Sequence, residues 1–195
     1  MKKKRLLWAV LICLLCTGCA KSETLRNDWK TTPVIKWDSP AERWMLSENE
    51  KFSLKMKLSE FPETIFIWSD EQISAKKDAE EKPLIFGTPI FSAYFTDLNH
   101  DGYPEICADV MFGFGFCDEH IEVYDYYHDE IYVLWDRMKY DYKLVMKDNE
   151  LLVQKTDYHQ SENILETSPL MLEKMTLISK EDESDVSNPE TNADA

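Results

Sequence analysis

Residues 51–58, KFSLKMKL, place Phe52, Leu54, Met56 and Leu58 at every second position, with charged or small polar residues between them. A period of two marks a strand with one face buried and the other in water. Short β-rich runs follow at TIFIW (64–68), FSAYF (91–95), ICADVMF (106–112), HIEVYDYY (120–127) and EIYVLW (130–135). YKLVM (142–146) and LLVQK (151–155) flank Lys147-Asp148-Asn149-Glu150, a sequence suited to a tight hairpin turn. Pairing across that turn predicts Leu144 opposite Val153 and Met146 opposite Leu151 on one face. The pattern predicts a mainly β fold: an antiparallel sheet of serial hairpins with one or two short helices.

Helix signals are few. Ser39-Pro40-Ala41-Glu42 offers a capping serine, a proline at the first helical position and a glutamate three residues after the cap. They predict a short helix over about Pro40 to Glu48, with Trp44 and Met45 facing inward. Residues 69–82, SDEQISAKKDAEEK, predict a second, poorly amphipathic helix or an exposed loop.

The chain opens with the basic MKKKR and an apolar run, LLWAVLICLL, at residues 6–15. Ten apolar residues are too few to cross a bilayer core, which takes roughly twenty, and the pattern is that of an export signal. CTGC follows, with Gly18 directly before Cys19. This arrangement resembles the lipobox of bacterial lipoproteins, although Cys16 stands where that family usually has leucine. The resemblance implies that residues 1–19 are a lipoprotein signal region, and that Cys19 is acylated with palmitate-class chains and tethered to the bilayer. The folded part is then extracytoplasmic. An ordinary secretory signal cleaved nearby is the alternative, and it exports the domain as well.

Removing that region takes four of the 22 cations and none of the 37 acids, moving the formal net charge from −15 to −19. Such a surface repels nucleic acid and anionic headgroups, so membrane contact is expected through the lipid alone. Residues 20–35 are polar and unpatterned and read as a tether, and residues 36–178 as the domain. Residues 179–195 are rich in acids and poor in apolar side chains, and read as a disordered acidic tail. Two of the five cysteines, Cys107 and Cys117, lie in the domain. They flank an expected bend near Phe112, and either a disulfide or two buried thiols fits that placement.

The segment TDLNHDGYPEI, residues 96–106, carries the most specific chemistry. Counting Asp97 as position 1 puts Asn99 at 3, Asp101 at 5, Gly102 at 6, the Tyr103 carbonyl at 7 and Glu105 at 9. Calcium takes six to eight oxygens, and alternating oxygen-bearing side chains around a glycine bend supply them from one short loop. An EF-hand would have a bidentate glutamate at position 12, where this chain has Ala108, and its flanks would be helices rather than strands. A metal-free Asp-Gly turn, its side chains capping backbone amides, is the competing account. FTDLNHDGYPEICADV resembles the calcium hairpin of FG-GAP and VCBS-type repeats, with Glu105 where aspartate is usual. The resemblance implies a strand–loop–strand calcium site at residues 97–105, in a single copy. Over residues 84–158 the chain also resembles the extracytoplasmic C-terminal domain of Gram-positive β-lactam sensor-transducers, but without their membrane metalloprotease part.

Other constellations are weaker. Ser74-Ala75-Lys76-Lys77 fits the Ser-x-x-Lys of penicillin-recognising proteins, but the companions Ser-Asp-Asn and Lys-Thr-Gly are missing. Cys117, His120 and His128, with Cys107, are zinc-ligand residue types without a paired spacing motif. Gly113 and Gly115, within FGFGF, suit a turn or bulge. Trp37, Trp44, Trp68, Trp135 and the run VYDYYHDEIYVLW offer either core filling or a sugar-stacking face. Taken together, the residues predict a non-enzymatic, calcium-stabilised binding or structural module of the cell envelope, anchored through Cys19. The alternative is an envelope enzyme or sensor acting on wall polymer or β-lactam. Replacing Cys19 with alanine should release the protein from membranes or leave an unprocessed precursor. Membrane fractionation with immunoblotting reads either result, and normal processing with retained membrane association would refute the lipid anchor.

Overall fold

A computed structural model describes residues 23–25, 34–38, 53–69, 71–113 and 117–178. The signal region with Cys19, the helix expected at Pro40–Glu48 with Trp44, Gly115 and the acidic tail lie outside the described residues. Among the described residues the chain is mainly β, and its one helical element is a 3-10 turn at Leu172–Lys174.

Three antiparallel meanders make three sheets. β3 (Ser53–Leu58), β4 (Thr64–Ser69), β5 (Gln72–Lys77) and β6 (Glu80–Phe86) pair in chain order. β1 (Glu23–Leu25) joins β3 in parallel. The second sheet runs β7 (Ile90–Thr96), β8 (Glu105–Phe112), β9 (Asp118–Asp125) and β10 (Glu130–Leu134). It is bordered by β2 (Val34–Trp37) on β7 and β14 (Thr176–Ile178) on β10. β11 (Tyr140–Lys147), β12 (Glu150–Asp157) and β13 (Gln160–Pro169) form the third.

Alternation along β8 explains how these sheets stack. Ile106, Ala108 and Val110 join a cluster with Trp37, Phe66, Trp68, Ile85 and Phe95 on the side of the first sheet. Cys107 faces the other way, with Ile121, Val123, Tyr142, Leu144 and Val153 on the side of the third. The middle sheet is thus covered on both faces. Burying a side chain the size of Phe66 stabilises by roughly 1.5–3 kcal/mol, so the two clusters dominate the favourable side of folding. Trp37 packs edge-on to Trp68 at 5.7 Å and tilted against Phe95 at 5.4 Å, which fixes β2 onto the first core.

The β11–β12 hairpin has the predicted register, with Leu144 opposite Val153 and Met146 opposite Leu151. Its two turn residues, Asp148 and Asn149, both have positive φ, the backbone that matches the twist of paired strands.

Two expectations need correction, and of the two states left open for the cysteines the structure has the free thiols. The described residues of 69–82 hold no helix: most of them form β5 and part of β6, joined at Asp78-Ala79 with Asp78 at φ +54°. Lysine, glutamate and alanine favour a helix there, but Ile73 and Ala75 gain more by burial in the first core than local propensity supplies. The expected tether lends two strands to the fold, β1 and the start of β2, where Val34 and Ile35 are buried. The disulfide is not formed. Phe112 pairs with Asp118, so Cys107 lies deep in the sheet opposite Val123 while Cys117 stays at the turn. Five residues of strand separate Cys107 from that turn, about 17 Å, whereas a bridge needs Cα atoms within about 7 Å. Both cysteines are free, and burial pushes the Cys107 thiol well up.

Asp109 ties the second sheet to the third. Its Oδ1 accepts the Leu144 N–H at 2.5 Å, and its Oδ2 accepts the Ser92 hydroxyl at 2.7 Å. Burial lifts the carboxyl to about 7 from its ordinary 3.8, against the pull of those two donors. The folded state therefore keeps this proton to higher pH than the unfolded state does. Its contribution is most favourable below about pH 4 and declines as pH rises toward 7. An Asp109→Asn variant, which keeps a carbonyl for Leu144, should lose that decline. Urea unfolding of both proteins at intervals from pH 4 to 8, with chelator present, should show the wild type falling relative to the variant. Parallel curves would refute the assignment.

Candidate metal centre

Asp97, Asn99 and Asp101 stand in the turn that carries the chain from β7 to β8. Each first serves the loop's own backbone. Asp97 accepts the Asp101 N–H at 3.1 Å and the Gly102 N–H at 3.0 Å, one on each carboxylate oxygen. Asn99 Oδ1 accepts the Asp101 N–H at 2.9 Å, and Asp101 Oδ1 accepts the Tyr103 N–H at 2.8 Å. Interlocked turns of this kind form because short side chains with oxygens reach amides two to five residues ahead. His100 and Gly102, at φ +63° and +94°, provide the sharp reversal. These bonds belong to an amide-capping turn, but they leave lone pairs free, since each carboxylate offers about four acceptor sites.

Glu105 departs from that pattern. It is fully buried, and its Oε2 accepts the Leu98 N–H at 2.7 Å. Its Oε1 is buried with no hydrogen-bond partner. Burial pushes the carboxyl up to about 8, and the charges of Asp125 and Asp97 add to the rise. A buried carboxylate with an unpaired oxygen beside other acids is stabilised either by a proton or by a cation. The donor set suits a hard cation: carboxylates, an amide oxygen and the Tyr103 carbonyl, whose residue occupies the expected position after Gly102. The Tyr103 ring packs on Phe61 at 5.6 Å and stacks on Tyr127 at 4.0 Å.

Two further groups reach this loop from the β9–β10 turn. Asp125 Oδ2 accepts the Asn99 side-chain amide at 3.2 Å and lies 2.7 Å from His128 Nδ1. His128 Nδ1 is also 3.6 Å from Asp101 Oδ2. Ligand atoms of Asp101, Asp125 and His128 all fall within 4.8 Å of one another. The hydrogen bond and charge of Asp125 raise the half-exposed imidazole's pKa. Sequence reasoning missed Asp125 and treated His128 only as a zinc-type residue. A signal existed in the hairpin register, which could not be set without knowing how the FGFGF segment turns.

The remaining candidates disperse. His120 is buried, bonds Glu122 at 3.1 Å and stacks on Trp135 at 4.7 Å, far along β9 from His128. Cys107 lies within the second core, so the zinc-type residues do not converge. Ser74 and Lys77 are three apart on β5 and point to opposite faces. Ser74 donates to Glu81 at 2.7 Å, and Lys77 pairs with Glu63 at 2.9 Å. Trp37 and Trp68 are core residues, while Tyr127 and Trp135 keep exposed surface. A groove of about 520 Å³ opens between β6 and the β9–β10 hairpin, walled by Lys82, Leu84, Phe86, Phe112, Tyr124 and Asp129. Of its two carboxylates, Asp129 is engaged by Lys82 and the Tyr124 hydroxyl, and Glu122 by His120.

Comparison with protein-family models, curated proteins and solved structures found no match for this chain.

The conformation of Gly102 gives a direct check on the loop. A Cβ added there would meet nothing within 4 Å, so any cost of Gly102→Ala comes from its φ of +94° alone. The substitution should destabilise by about 1–2 kcal/mol in chemical denaturation. A cost near zero would mean that the loop does not hold this turn.

Proposed function

We propose that this chain is a lipid-anchored extracytoplasmic module of the bacterial cell envelope whose β domain holds one calcium ion at the β7–β8 loop. The basic start, the ten-residue apolar run and the CTGC sequence support export and anchoring at Cys19. The observation that carries the calcium reading is Glu105: a fully buried carboxyl, one oxygen unpaired, facing a loop that already presents Asp97, Asn99 and Asp101. The ion would be held by those side chains and the Tyr103 carbonyl, supplying the positive charge that the buried acid lacks. Its role is structural. It fixes the corner from which β8, buried without a break from Glu105 to Val110, enters the middle sheet.

The excess of acids suits a protein working beside divalent cations and disfavours nucleic acid as a partner. A loop of this composition belongs to the weak extracellular class, with a dissociation constant on the order of 10⁻⁴ to 10⁻³ M. Millimolar calcium then stabilises by about 0.4–1.4 kcal/mol and raises Tm by a few degrees. Magnesium should do less, because it demands a tight octahedron and releases water reluctantly. Asp101→Ala should abolish the calcium-dependent shift, whereas Ser74→Ala and Lys77→Ala should leave it intact. Thermal unfolding with calcium, magnesium or chelator checks all three. A Tm indifferent to calcium and chelator, with no uptake by calorimetry, would reduce the segment to a turn.

A further inference from the structure

The β7–β8 loop ends one carboxylate short. Its position 12, where an EF-hand places a bidentate glutamate, is Ala108, buried in the first core. Ile106, Ala108 and Val110 face that core, while Asp109, the next acid on the Glu105 side of β8, lies about 13 Å further along the strand and is already engaged by Ser92 and Leu144. Ligands beyond Glu105 must come from a neighbouring strand.

The pairing of β8 with β9 identifies the neighbour. Ile106 lies opposite Tyr124, so one step further along both strands brings Asp125 opposite Glu105 on the same face. Both side chains are almost fully buried, and Asp125 reaches Asn99 at 3.2 Å. Tyr127 of the β9–β10 turn stacks on Tyr103 of the loop with planes 3° apart, holding the two segments together. Four carboxylates, from Asp97, Asp101, Glu105 and Asp125, therefore gather at one corner. The ion pairs shown for them among the described residues are with His128. The unpaired Oε1 of Glu105 is the independent sign that this corner lacks a positive ligand.

We propose that Asp125 is a ligand of the divalent cation, so that the ion bridges the β7–β8 loop and the end of β9. This deepens the calcium reading above and rests on it. The cation then acts as a staple between two turns far apart in sequence. His128, between Asp125 and Asp101, marks the outer side of the position that carboxylates on two segments share. An ion held only by residues 97–105 would order the loop alone, whereas a bridging ion also orders residues 125–129.

Calorimetric titration of the purified full-length protein in detergent micelles with calcium chloride tests the assignment. Asp125→Asn keeps an oxygen to accept the His128 N–H but loses the charge. It should weaken calcium binding about ten-fold or more. Glu63→Gln, at an exposed pair with Lys77 elsewhere in the fold, should bind as the wild type does. Hydrogen exchange on the wild type gives a measurement free of any folding defect in the variant. Calcium should slow exchange in residues 125–129 as well as in 97–105. Wild-type affinity in Asp125→Asn, or protection confined to 97–105, would overturn the bridge and leave the loop site standing. No calcium uptake by the wild type would overturn both. Preference for zinc, lost in His128→Gln, would overturn the hard-cation assignment.

Discussion

Strand β8 is buried on both faces from Glu105 to Val110, and the three-layer arrangement follows from that constraint. An antiparallel sheet can normally leave one face in water. Here Ile106, Ala108 and Val110 need a partner on one side and Cys107 on the other, so a meander is laid against each face. β7 and β9 share the burial because they flank β8 in the sheet. The first and third sheets each give one face to the interior, and their outer positions carry much of the charge. The edge strand β13 shows the contrast, for almost all of it is exposed.

Deep burial makes the two acids of β8 consequential, and they are satisfied differently. Asp109 holds donors on both oxygens, one from Ser92 on β7 and one from Leu144 on β11. It works as a polar rivet between layers that otherwise touch through apolar side chains. Glu105, on the same side of the strand, has a donor for one oxygen and none for the other. Its neighbours add negative charge rather than relieve it. Leaving a buried polar atom unsatisfied costs on the order of 1–3 kcal/mol, more for a charge, so an ion at this corner has a physical reason to bind. The two acids thus differ in how far the chain itself supplies donors for them.

Local pattern was a good guide wherever one face of a strand is polar. KFSLKMKL and the Asp148-Asn149 hairpin show it, since alternation and turn chemistry act over a few residues and do not depend on distant partners. It failed at residues 72–86, whose lysines and glutamates belong to exposed positions of a hairpin that buries only Ile73, Ser74, Ala75, Leu84 and Ile85. Residues 34–37 also escaped it, because a four-residue strand beside a polar stretch has too little pattern of its own.

The sequence alone determined the strand content, most of the hairpin strands, and the loop of Asp97, Asn99, Asp101, Gly102 and Glu105, because each rests on the spacing of near neighbours. It could not determine the depth of Glu105, which depends on three sheets closing around β8. Nor could it separate a disulfide from two free thiols, since that turned on where the β8–β9 hairpin bends. The same bend decides Asp125. A slip of one residue in that pairing would turn Asp125 to the opposite face of the sheet, away from Glu105, because strand side chains alternate with a period of two. Only the tertiary structure sets that register, and with it the full set of groups at the corner.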